Sequence, residues 1–113
     1  MREIKFRAWN GQKILTQGDK RTHGEVTAWF LLQHFNNIMQ YTGLKDKNGV
    51  EIYEGDIVVY RDIGGSGRPR EFGPRNVRWY RDSCNFNVSR PSNGAEIEVI
   101  GNIHENPELL EGL

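Results

Sequence analysis

From residue 40 to residue 60 the chain reads QYTGLKDKNGVEIYEGDIVVY, and its apolar positions fall in short runs broken by Gly, Asn and Asp. Asp46-Lys47-Asn48-Gly49 lies between the apolar residues of YTGL and VEIY, and Asn-Gly is the strongest short-range signal for a tight reversal. Glu54-Gly55-Asp56 makes a second turn, and Ile57-Val58-Val59-Tyr60 then forms a nearly continuous apolar run suited to a strand buried on both faces. Turn geometry accounts for the Gly, Asn and Asp at these offsets without any ligand, so the segment is expected to be architecture.

The rest of the chain repeats this strand-and-turn pattern. In EIKFRAW, Ile4, Phe6 and Ala8 share one face of a period-2 strand, with Glu3, Lys5 and Arg7 on the other, which predicts one core face and one wet face. Asn10-Gly11 followed by Ile14-Leu15 predicts a first hairpin. DIVVY (56–60), NVRWY (76–80), NFNVS (85–89) and EIEVIGNI (96–103) carry strand composition at the spacing of a meander or small barrel. Residues 16–25 and the stretch GGSGRPREFGP (64–74) read as loops, the second a long Arg-Gly hairpin tip. VTAWFLLQHF (26–35) fits two templates. Trp29, Leu32 and Phe35 would form a helical stripe, while Val26, Ala28 and Phe30 would share a strand face; its β-branched and aromatic first half favours a strand, or a single helical turn leading into one. Pro107 can open a short C-terminal helical turn with Asn106 as its cap.

Composition agrees. With 113 residues, 36% apolar, and 3 Trp, 4 Tyr and 5 Phe, one core built on aromatic and β-branched residues is expected. The expectation is therefore one all-β domain over residues 1–113, an antiparallel, SH3-like or barrel-like bent sheet with short helical turns. Fifteen basic and fifteen acidic residues cancel, so the whole chain lacks the broad basic footprint of a dedicated DNA binder. The distribution is less even. Between Arg61 and Arg81 six Arg stand against Asp62 and Glu71, and from Glu96 onward there are five Glu and no Lys or Arg. A single Cys84 excludes an internal disulfide and fits a reducing compartment. No membrane span or signal peptide is read from MREIKFRAW, and the expected location is the cytoplasm.

Catalytic chemistry finds little footing. His23, His34 and His104 are scattered, and a single Cys gives no pair at metal-ligand spacing, so neither a metal nor a cofactor is expected. Glu54 and Asp56 sit in a tight turn, where Asp56 accepts backbone N–H groups and Glu54 is expected in solvent. Gly64-Gly65-Ser66-Gly67 lacks the Lys-Ser/Thr and the helix of a phosphate loop. A small hydrolase or transferase remains a further alternative, needing a pocket with perturbed titratable groups.

Two surfaces are candidates for contact. Arg68, Arg70, Phe72 and Arg75, backed by Arg78, Trp79, Tyr80 and Arg81, mix cations with aromatic faces as single-stranded nucleic-acid binders do. The plainer reading of the same residues is a solvated hairpin tip. The acidic C-terminal segment, with Glu105, Glu108, Leu109 and Leu110, could meet the Arg tip of a second copy and support a homo-oligomer. Its plainer reading is docking of the terminal turn on its own chain.

QYTGLKDKNGVEIYEGDIV, together with MREIKFRAW and IEVIGNIHENPELL, resembles the YopX family of small phage and prophage proteins, over residues 1–9, 39–60 and 97–110. The resemblance implies a β-rich, barrel-like fold, an origin in a phage or prophage, and a place in the bacterial cytoplasm. It implies no established activity and supplies no catalytic residues. The resulting expectation is a non-catalytic binding or assembly module, with a nucleic-acid-binding accessory protein as the alternative.

Overall fold

The computed structural model describes residues 4–18, 27–62, 70–89, 91 and 95–111. They form an antiparallel, curled half-barrel sheet with one α-helix. β1 (Phe6–Trp9) and β2 (Ile14–Thr16) make the expected first hairpin, in which the Asn10 Oδ1 accepts from the amides of Gln12 and Lys13, both at 2.8 Å. β3 (Asn37–Lys45) pairs first with β1 and then with β4 (Glu51–Tyr53), giving the order β2-β1-β3-β4. β5 (Asp56–Asp62) lies between β6 (Arg70–Asn76) and β9 (Ala95–Asn102), and β7 (Trp79–Tyr80) with β8 (Asn85–Phe86) forms a short hairpin.

The patterned centre of the chain is the corner between the sheets. The Asp46 carboxylate organises its first turn: one oxygen accepts from Asn48 N at 2.8 Å and Val50 N at 2.9 Å, and the other from Val99 N at 3.0 Å. A single buried side chain thus closes the turn and fastens it to β9. At the second turn Gly55 donates to Val77 O and accepts from Ile103 N, each at 2.8 Å, so three segments meet at one residue. Its φ of +84° is left-handed, and a Cβ there would lie 2.9 Å from the Met39 sulfur. From Asp56 to Val59 β5 is buried on both faces, as its apolar run predicts.

Most of the core collects beneath that corner, where Ile52, Val58, Val77, Phe86, Val88 and Ile97 pack together with Leu44, Tyr60 and Val99 at the margin. A second cluster holds Met39, Tyr41 and Tyr53, and a third holds Ala8 and Leu31.

Six expectations need correction. Ile4, expected on the core face, precedes β1 and is 68% exposed. Residues 28–34 are a helix, α1 (Ala28–His34), whose N-cap Thr27 accepts from Phe30 N at 3.1 Å. Leu and Gln propensities in the second half, with that cap, outweigh the strand-like first half. The buried position is Leu31, packed on Ala8, whereas Trp29 and Leu32 of the expected stripe are 69% and 56% exposed. Val26 of the strand alternative lies outside the described residues.

Arg70–Pro74, read as loop, belongs to β6, because the edge of β5 offers unpaired backbone groups. Pro74 is tolerated there because β6 is itself an edge strand, and the register shift between Val58 and Tyr60 falls beside the cis Gly73-Pro74 bond. Residues 64–69 of that loop lie outside the described residues.

Arg7, placed on a wet face, is buried, with its guanidinium 2.6 Å from the Asp56 carboxylate and 4.7 Å from the centre of the Tyr53 ring. Burial pushes the Asp56 carboxyl above the usual carboxylate range, while Arg7 and the Tyr53 amide pull it back. Glu54, expected in solvent, is half-buried, and its carboxylate accepts from Gln40 N at 2.8 Å. Finally, Pro107 opens the expected short helical turn, of 3-10 type over Pro107–Leu110, but the Asn106 side chain caps nothing in it; its Oδ1 accepts from Asn102 N instead, at 3.2 Å.

Candidate functional site

β6 and the β7–β8 hairpin bring the cationic and aromatic residues together. The link between Asn76 and Trp79 is held by Asn87. Its side-chain oxygen accepts from Arg78 N at 2.9 Å, its side-chain amide donates to Asn76 O at 2.8 Å, and its carbonyl accepts from the Arg75 guanidinium at 3.2 Å. One asparagine therefore holds the guanidinium of Arg75 and the backbone of Arg78.

Each guanidinium lies over a tyrosine. Arg75 sits 5.8 Å from the centre of the Tyr60 ring, and Arg78 sits 5.1 Å from that of Tyr80. The Tyr60 hydroxyl is anchored on the backbone of Ser89, accepting from N at 3.1 Å and lying 3.3 Å from O. Arg78 donates to the Tyr80 hydroxyl at 3.4 Å and holds that phenol's pKa below the usual tyrosine range. Phe72 faces Tyr60 across the β5–β6 pair and is half exposed. Trp79 meets Phe86 edge-on at 5.0 Å, so part of its ring belongs to the core while the rest reaches solvent.

Among the described residues no carboxylate lies within ion-pair distance of Arg75 or Arg78. Arg61 differs, bridging Glu71 at 3.1 Å and Glu98. Of the other sequence-predicted residues, Arg70 opens β6 opposite Asp62, Arg81 is exposed in the β7–β8 turn, and Arg68 lies outside the described residues. Nothing in the order of residues singles out Asn87 and Tyr60, because their role depends on a register that only the folded sheet creates.

The acidic segment sits elsewhere. Glu105 accepts from the Asn102 side chain at 2.9 Å, and Glu108 is exposed. Leu109 and Leu110 are half-buried in the 3-10 turn, which lies alongside β6 of the same chain.

A groove of about 290 Å³ opens beside Arg78, where the corner turn, the start of β3 and the end of β9 meet. Ile38 and Ile103 line it with apolar surface above the buried Met39 and Val77, and Asn36, Asn37 and His104 add polar groups. The His104 ring stacks on Trp9 with centroids 5.3 Å apart; burial, then Arg7, pushes its pKa below the usual histidine value. Among the described residues no group of three or more His, Cys, Asp or Glu side chains could hold a metal ion, and no helix is long and apolar enough to cross a membrane.

Comparison with known proteins places this architecture. The YopX protein family matches over residues 12–111, and the chain belongs to that family. The crystal structure of protein EF1440 from Enterococcus faecalis is similar, with 30% sequence identity and a TM-score of 0.58, covering 98% of this chain and 100% of that one. Among curated proteins none matches.

Proposed function

We propose that this YopX-family protein is a non-catalytic binding module of phage or prophage origin, acting in the bacterial cytoplasm, and that it grips single-stranded nucleic acid on the face built by β6 and the β7–β8 hairpin. The origin and location rest on the family resemblance. The binding reading rests on one observation: Arg75 and Arg78 are fixed over Tyr60 and Tyr80 with no described carboxylate to neutralise them. A guanidinium held over a ring keeps its charge, leaves N–H groups for phosphate oxygens, and stands beside aromatic surface on which bases stack. Phe72 and Tyr80, about half exposed, supply that surface. Such a face needs only to hold its partner, and it asks for no nucleophile or general base.

Fluorescence anisotropy of a labelled single-stranded oligonucleotide over a salt series tests the reading. Affinity should fall as salt rises, and Arg75→Ala with Arg78→Ala should flatten the log–log slope by about 1.4, from about 0.7 per lost phosphate contact. Absence of binding at low salt would dismiss it.

A further inference from the structure

We infer that the groove beside Arg78 receives one base of the bound strand, so that the protein reads bases as well as backbone; this rests on the nucleic-acid reading above. The groove and the cationic face share Arg78, so a strand whose phosphates lie along Arg75 and Arg78 passes the mouth of the groove. Its chemistry suits a base better than a phosphate. The lining carries one cation, Arg78, and one carboxylate, Glu54, so a phosphate entering it finds no net attraction. A planar neutral base would lie against Ile38 and Ile103, the half-buried apolar residues of the lining, with the buried Met39 and Val77 closing the floor beneath them.

The rim offers the complementary polar groups. The side chains of Asn36 and Asn37 are exposed, and the fold uses neither in a described hydrogen bond, so both are free to pair with a base edge. Glu54 is committed through one oxygen to Gln40 N, and carboxylates accept from exocyclic amino groups of bases. The volume, about 290 Å³, is at the small end for ligand pockets and suits a single ring system.

The test compares two labelled oligonucleotides of equal length, one with ordinary bases and one made wholly of abasic sites, by anisotropy at low salt. The wild-type protein should bind the base-bearing strand at least about fivefold more tightly, the lower end of what one stacked base contributes. Asn37→Trp, which fills the groove from an exposed position on β3, should cut that advantage at least about threefold, leaving the part that stacking on Phe72 and Tyr80 supplies, with the abasic strand unaffected. Asn36→Trp provides a second blocking variant should Asn37→Trp lower the melting temperature. Arg75→Ala, outside the groove, should weaken both strands alike.

If both Trp variants keep the full preference for bases, the groove is not the base site, and the arginine face still stands. Equal binding of the two strands by the wild type removes the groove and the stacking on Phe72 and Tyr80 together, leaving only phosphate contacts to the arginines. Failure of both strands to bind removes both readings together.

Discussion

The guanidinium of Arg7 on β1 lies 2.6 Å from the carboxylate of Asp56 on β5, joining the four-stranded sheet to the three-stranded one. Both side chains are nearly withdrawn from water, at 10% and 3% exposure, so removing either leaves a buried charge without its partner. Arg7→Met and Asp56→Asn should each cost about 3–5 kcal/mol in chemical denaturation, and the double variant should cost clearly less than their sum. Single-variant losses below about 1 kcal/mol would show that the pair does not join the sheets energetically.

Two glycines with similar backbone angles should respond differently to alanine. Gly49 has φ +81° and open space where an alanine methyl would stand, so Gly49→Ala should cost only the left-handed strain, about 1 kcal/mol. Gly55 has φ +84°, and a methyl there would press on the sulfur of the buried Met39, so Gly55→Ala should cost about 2–4 kcal/mol. Equal losses in urea titrations would remove packing as the distinction.

Acid should weaken the fold through His104. An unfolded imidazole titrates near 6.5, and the folded one lower, so between the two values the unfolded chain holds more protons. The contribution is complete above about pH 6.5 and is lost as pH falls through the folded value. His104→Phe keeps an aromatic ring to stack on Trp9 and cannot titrate, so its melting temperature should fall less than that of the wild type between about pH 7.5 and pH 5. Parallel melting curves for the two proteins would contradict this.

The Arg78–Tyr80 contact has a spectroscopic signature. Of the 4 tyrosines, Tyr80 should ionise below the ordinary value, and Arg78→Ala should return it towards about 10 in an ultraviolet or NMR titration. An unchanged titration would mean that the guanidinium does not rest on that phenol.

What the chain declared in advance follows from the range of each interaction. Asn48-Gly49, the left-handed Gly55 and the apolar run of β5 follow local backbone and burial preferences, so the turns are legible as text, while the bonds from Gly55 to Val77 and Ile103 are not. α1 was harder, because a seven-residue helix has little periodicity to display and owes its burial to one residue, Leu31. β6 was hidden because its residues resemble a loop and are made a strand by the empty edge of β5. At the contact face the arginines and exposed aromatics could be named from composition. Asn87, which holds the guanidinium of Arg75 and the backbone of Arg78, could not, since its partners lie 9 to 12 residues away across a turn.

Both neighbours of β5 come later in the chain, and the second ends at Asn102. During synthesis the nascent polypeptide must therefore wait, with Ile57 and Val58 uncovered, until Asn102 has left the ribosome. A premature stop before residue 95 would release a species with a bare apolar ribbon, suited to clumping with its copies and to rapid removal by proteases.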